Sequence, residues 1–193
     1  GKTVKVAPHI PIYAGAQGPM MLERVAPLVD GVLINASHPR DFEDSLRSIR
    51  RGLRKAGRHI SELDIGAYTA FSIGQTREEA LSGMTRLIVA YIVAGAPDAV
   101  FERHDVPLEL RGQLASLLER GRYAEAADAV SDDIIDMFAI VGDCDYCLNR
   151  IEELVRIGVT HFVAGSPIGP DRVVAIRRIG REIIPHLKEE LSK

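Results

Sequence analysis

Ile10-Pro-Ile-Tyr-Ala-Gly-Ala-Gln-Gly-Pro-Met-Met21 decides how the rest of the chain is read. An apolar, β-prone run (Ile10, Ile12, Tyr13, Ala14) reaches Gly15-Ala16-Gln17-Gly18-Pro19, where the glycines let the backbone turn and Pro19 is pre-set to open a helix. The stretch is a strand-to-helix corner. Such corners leave helix-start N–H groups facing the turn, where a phosphate, carboxylate or carbonyl would satisfy them. Many glycine-rich βα corners only close the turn, so taken alone this one reads as turn geometry.

Outward from the corner, strands and helices alternate. After a helix from Pro19 through Leu28, Asp30-Gly31 leads into Val32-Leu-Ile-Asn-Ala-Ser37, a short buried strand ending in small polar residues. Pro39 opens a helix with Asp41, Glu43 and Asp44 first, Arg50, Arg51, Arg54 and Lys55 last, and Gly57 after it. That charge order complements the helix dipole, and Phe42, Leu46, Ile49 and Leu53 share one face. The third strand is Asp64 to Ile73. Thr76 and Glu79 form a capping box for one long helix through Leu81, Met84, Leu87, Ile88, Tyr91 and Ile92, expected to be buried, in part against a second copy in a homo-oligomer.

From Gly95 to Gly142 the pattern shows no strand, only short helices with too few large apolar residues to hold much core. It reads as a helical insertion, about residues 96–142, within a single domain spanning 1–193. The last unit is a strand, Val159 to Gly165, then Ser166-Pro-Ile-Gly-Pro170 and a helix capped by Asp171 with Val174, Ile176, Ile179, Ile183 and Leu187 as its buried stripe. Two strand ends thus carry similar Gly-Pro corners, and Asn35-Ala36-Ser37 and Thr69 to Ser72 end two more. In a parallel sheet all four would gather at the carboxyl ends of the strands, where such sheets bind ligands.

With 46% hydrophobic and 26% charged residues among 193, the chain has the balance of a soluble globular domain. A net charge of −3 with interspersed signs argues against a nucleic-acid surface, and no segment has the length of a membrane span. Residues 1–20 lack a secretory leader pattern, and the two cysteines with no tryptophan suit a reducing cytoplasm. Cys144-Asp-Tyr-Cys147 has no second ligand pair, so no metal is expected; Asp143 reads as a helix cap and Cys147 as a core residue. His104, beside Glu102 and Arg103, reads as part of a satisfied structural network, and His161 as half-buried within its strand. His9, His38, His59 and His186 lack metal-ligand spacing. Arg40 reads either as a solvated helix-start residue or as a partner for a phosphate or acidic tail.

Several long segments together resemble the coenzyme F420-dependent methylenetetrahydromethanopterin reductases of the bacterial-luciferase-like superfamily. They are Pro11 to Met21, Asp30 to Ser37, Ala67-Tyr-Thr69, Val100-Phe-Glu-Arg-His104 and Val163 to Asp171, and the resemblance runs from Ile10 onward. It implies an α/β fold, the C-terminal half of a (β/α)8 TIM barrel: four parallel strands, about strands five to eight, with the helical insertion before the last. It also implies reversible hydride transfer between coenzyme F420, a deazaflavin, and methylenetetrahydromethanopterin in one-carbon metabolism, methanogenesis included. By the same resemblance Ala16, Gln17, Gly18 and Pro19 belong to the cofactor wall, the Gln17 amide being the catalytic candidate. Asn35, Ala36 and Ser37 line the next strand end, and Gly165, Ser166 and Pro167 close the pocket.

The sequence departs from the family at Pro27, expected to end or kink the first helix, and at Cys144, where proline is common. The larger departure is the missing first half of the barrel. Four strands cannot close a barrel, so an N-terminal half-barrel is the expected partner, as a preceding segment or a separate polypeptide. Two alternatives stand beside this reading: another F420- or FMN-dependent oxidoreductase of the superfamily, and a non-catalytic half-barrel interaction module.

Overall fold

A computed structural model describes residues 10–190. Strands β1 (Tyr13–Gly15), β2 (Gly31–Ile34), β3 (Asp64–Ile73) and β5 (His161–Ile168) are all parallel, and β4 (Ala139–Gly142) joins them. β1 pairs β2 and β2 pairs the first four residues of β3, while β5 runs along the other edge of β3. The register sets Tyr13, Gly31 and Asp64 in one row. One face of the sheet, with Val32, Ile34, Ile65 and Ala67, is buried. Against it pack Leu22 of α1 (Pro19–Val25), Phe42, Leu46, Ile49 and Leu53 of α2 (Pro39–Lys55), and Cys147, Ile151 and Leu154 of α9 (Cys144–Ile157).

Local signals account for the helices of this layer. α1 stops at Val25 and passes into a 3-10 turn, Ala26–Leu28, at Pro27, which has no N–H to continue the α ladder. Asp143 caps α9 by accepting from the Tyr146 N–H at 2.9 Å, and Gly158, at φ 114°, ends it in the left-handed conformation that a Cβ disfavours. Asp171 caps α10 (Arg172–Arg178) through the Val173 and Val174 N–H groups.

Several expectations meet the structure differently. The segment before residue 142 does contain a strand: β4 pairs Ala70–Ile73 of β3. β3 is ten residues long and β2 pairs only its first four, so β4 completes the edge that Ala70–Ile73 would leave bare. Its four residues are too short to show a period. The helix expected to run on from Thr76 is two, α3 (Arg77–Ala80) and α4 (Gly83–Gly95), because Ser82 caps the second through the Thr85 N–H; Gln75 N–H, not that of Thr76, reaches the Glu79 carboxylate. Within α4 the buried set is Thr85, Val89, Ala90 and Val93, whereas Met84 and Tyr91 are exposed.

The insertion does not carry a core alone. Phe101 of α5 (Asp98–Arg103), Leu114 and Leu118 of α6 (Leu108–Glu119), Ala126 of α7 (Tyr123–Asp128) and Ile135 and Phe138 of α8 (Asp132–Phe138) pack with α4 and with Ala70 of β3 and Ala139 and Val141 of β4, in a second apolar cluster on the sheet. Finally, the stripe of the last helices is corrected at its start only: Ile179, Ile183 and Leu187 pack on the core as expected, through a π-helical turn, Ile179–Ile183, between α10 and α11 (Ile184–Glu190). Ala175 and Ile183 are buried, while Val174 and Ile176 are exposed.

Candidate functional site

The first two strand ends meet. Gln17 Nε2 donates to the Asn35 carbonyl at 2.8 Å, and the Ala16 N–H donates to the Leu33 carbonyl, so the β1 corner is tied to the β2 corner by side chain and backbone. Ser37 Oγ donates to the Phe138 carbonyl at 3.1 Å, and Arg150 reaches the carbonyls of Ser37 and Asp136 at 3.2 and 3.3 Å. A Cβ placed on Gly15 or Gly18 would meet no heavy atom within 4 Å, so the backbone of the first corner lies open to a ligand.

These corners line a cavity of about 570 Å³. Gln17, Gly18, Pro19, Asn35, Ala36 and Ser37 form its strand-end wall, and Asp41, Asp44, Ser45 and Ser48 of α2 another. Tyr91 and Ile92 of α4, with Ala96, Pro97, Val100 and Phe138 of the insertion, form its roof. Ala16 is buried beneath it. Gly165, Ser166 and Pro167 do not line it: they end β5, on the edge of β3 away from β2. A Cβ on Gly165 would stand 2.3 Å from the Thr69 carbonyl oxygen, so this glycine serves the close approach of β5 to β3; the Ser166–Pro167 peptide is cis. Arg40 is exposed and does not line the cavity.

The charged lining was not foreseen from local patterns. Asp41, expected only as a helix-start acid, is buried and takes Arg103 at 2.5 Å and His104 Nε2 at 3.1 Å to each carboxylate oxygen; Arg103 also reaches Asp44 at 2.8 Å. His104 is therefore a member of a satisfied network. The only available signal was its place in the Val100 to His104 segment, since partners some 60 residues apart leave no spacing pattern. At the opposite end of the strands, on the open face of the sheet, Asp64 accepts from Tyr13 at 2.6 Å and contacts His161 at 3.0 Å and Thr160. Burial pushes the Asp64 carboxyl up, but bonds from Thr160, Tyr13 and His161 outweigh it and hold the group below its usual range. The His161 side chain is 48% exposed, half-buried as expected.

The cysteines carry no redox signature. Burial pushes the Cys147 thiol up to about 12, and burial together with Glu182 pushes Cys144 up to about 11. Among the described residues no His, Cys, Asp and Glu are grouped to hold a metal ion, and no helix is long and apolar enough to cross a membrane; His9 lies outside the described residues.

His38 gives the site a pH dependence. Its Nδ1 accepts the Arg40 N–H at 3.2 Å at the start of α2, which requires a neutral ring, and its ring stands edge-on to His104 at 4.8 Å. Burial, then the charges of His104 and Arg150, lower it to about 4. Unfolded, the same ring takes a proton near pH 6.5. The unfolded state therefore binds more protons between these values, and stability held above pH 6.5 is lost as pH falls toward 4. His38→Asn keeps a capping acceptor and removes the titration. Its urea midpoint relative to wild type should rise between pH 7 and pH 4.5; a constant difference across that range would refute the assignment.

The model of the luciferase-like monooxygenase family matches residues 2–161. The chain belongs to this family. Relatives of the luciferase-like chain include the 5,10-methylenetetrahydromethanopterin reductase of Methanopyrus kandleri, 47% identical over 180 residues, covering 93% of this chain and 51% of the relative. That of Archaeoglobus fulgidus is 48% identical over 183 residues, covering 93% and 55%. The solved coenzyme F420-dependent tetrahydromethanopterin reductase from Methanopyrus kandleri superposes at a TM-score of 0.87 with 46% identity, covering 92% of this chain and 51% of that one. The chain thus spans about half the length of these relatives. Its fold is that of the matched part of a luciferase-like barrel, an α/β arrangement of parallel strands backed by helices.

Proposed function

We propose that this chain forms part of the coenzyme F420 site of a 5,10-methylenetetrahydromethanopterin reductase, completed by a second half-barrel. The observation that carries this reading is the convergence of two tied strand-end corners on one cavity at the carboxyl ends of adjacent parallel strands. The names of the reductase relatives, at 47–48% identity, suggest the substrate, and that of the solved reductase, at 46%, the cofactor. The open Cβ positions at Gly15 and Gly18 fit a cofactor whose polar chain needs close backbone approach. When bound, F420 would supply the hydride that converts the methylene group of the pterin to a methyl group.

In this reading Gly18, Pro19, Asn35, Ala36 and Ser37 hold the cofactor, with Ala16 supporting them from below. Gly165, Ser166 and Pro167 lie outside this cavity and serve the contact of β5 with β3. Gln17 ties the corners through its amide NH2 and turns its remaining carbonyl oxygen to cofactor or substrate. Residues 1–193 act as one unit, and the insertion roofs the pocket and excludes water. Its partner is the complementary half-barrel, whose strands would cover the outer edges of β1 and β5. Exposed apolar residues stand next to both in sequence: Ile10 and Ile12 before β1 and Met20 on α1 after it, and Val173, Val174 and Ile176 on α10 after β5. Assembly into a homo-oligomer and a cytoplasmic location belong to the same proposal.

The test is a fluorescence titration of F420 into the chain alone and into the chain mixed with the first half of the Methanopyrus kandleri relative. Oxidation of reduced F420 with methylenetetrahydromethanopterin is then followed. Binding and turnover are expected for the two-piece protein, with Gln17→Ala lowering turnover about ten- to hundredfold. Absence of binding in both forms overturns the proposal. Turnover of a secondary alcohol or sugar phosphate but not the pterin would keep F420 and replace the substrate.

A further inference from the structure

The cavity lies between two apolar clusters that share the sheet. In one, the sheet packs with α1, α2 and α9; in the other, Phe101, Leu114 and Ile135 of the insertion pack with α4 and with Ala70, Ala139 and Val141 of the sheet. A seam occupied by a cavity has little apolar contact to hold its walls in place, so their spacing depends on whatever bridges it.

The bridge nearest the roof is polar and converges on Asp41. Arg103 and His104, at the end of α5, both bind its carboxylate, and Arg103 turns its Nε to Asp44 one helical turn further along α2. The side chain of His104 is 2% exposed and that of Asp41 11%, so the contact is dry on one side. With Nε2 donating to Asp41, the His104 ring is fixed in orientation and meets His38, the cap of α2. Asp41 lies four residues beyond Ser37. The segment that forms the strand-end wall of the cavity is therefore continuous with the segment that the insertion grips, and Val100 and Arg103 themselves line the cavity.

We propose that Arg103 and His104 are positioning residues for cofactor binding: through Asp41 and Asp44 they clamp the roof of the cavity over the strand-end corners. The identity of the ligand rests on the functional reading above; the clamp does not. Loss of the clamp lets α5 swing from α2 and lowers the fraction of molecules with a formed pocket. Apparent affinity falls by that fraction, while the reacting groups, when assembled, are unchanged.

The test uses the two-piece protein with Arg103→Ala, Arg103→Lys and His104→Asn, each checked for folding by far-UV circular dichroism. Arg103→Ala is expected to raise the F420 dissociation constant about tenfold while leaving kcat at saturating cofactor within about twofold. Amide exchange in residues 96–104 should quicken about tenfold without cofactor, and lysine should restore part of both effects. An unchanged dissociation constant with faster exchange would reduce the network to a structural contact and overturn the proposal. So would a kcat loss equal to the affinity loss. Failure of the wild type to take up F420 overturns the functional reading instead; in that case faster exchange in Arg103→Ala supports the clamp and unchanged exchange overturns it.

Discussion

Phe71→Ala is expected to lower the free energy of unfolding by about 3–5 kcal/mol, the range for truncating a fully buried phenylalanine that leaves a cavity behind. Phe71 is 1% exposed on β3, the strand that pairs with three others. It stands opposite Ile140 of β4 and edge-on to Phe162 of β5, with ring centroids 5.7 Å apart. Removing the ring therefore opens a void where β3, β4 and β5 meet, and neighbours pinned in a parallel ladder have little freedom to fill it. With a urea dependence of about 2 kcal/mol per molar, the midpoint should fall by roughly 1.5–2.5 M. Tyr68→Ala on the same strand, at a side chain 46% exposed on the open face, should shift it far less. Equal shifts at the two positions would mean that the open face is covered as completely as the helix-backed one.

Gly52→Ala is the second large effect, and its sign runs against helix propensity. Alanine in a helix interior ordinarily gains about 1 kcal/mol over glycine. Here the added Cβ would stand 2.0 Å from the Glu23 carbonyl oxygen, a backbone atom of α1 that cannot rotate away. The two helices must separate, loosening Leu22 and Phe42 beneath them and the pairs that Glu23 makes with Arg51 and Lys55 at 2.8 and 2.5 Å. A net loss of about 2–3 kcal/mol is expected, as for overpacking elsewhere. Gly112→Ala on α6, where the new Cβ meets nothing within 4 Å, supplies the control with the opposite sign, a gain of up to about 1 kcal/mol. Two helical glycines thus answer the same substitution oppositely. A gain at Gly52 would show that α1 and α2 do not cross as closely as described.

Much of the fold was legible because its signals are local. Caps at Asp143 and Asp171, the stop at Pro27, the Gly158 terminus and the apolar face of α2 each follow from residues within about two turns of one another. The misreadings share a cause of the opposite kind. β4 is a strand because a distant stretch of β3 lacks a partner, and the face of α4 is set by helices that follow it in sequence. On α10 the face turned to the core holds Ala175 and not the larger Val174 and Ile176, a choice made by what the helix packs on and not by side-chain size.

At the site, the corner at Gly15 to Pro19 was readable as a turn with a possible ligand, and the small polar strand end at Asn35 to Ser37 as its neighbour. Their joining through Gln17 and the Asn35 carbonyl, and the separate placement of Gly165 to Pro167 on the far side of β3, depended on strand order and register. By itself the sequence determined the strand-helix alternation, the helix ends and the family to which the chain belongs, since caps, periods and turn residues act over a few positions. Only the tertiary structure decided which strand ends share a cavity and that Asp41 is held by Arg103 and His104. Those relations join residues 18 to about 60 positions apart, and nothing short of packing brings such residues within hydrogen-bonding distance.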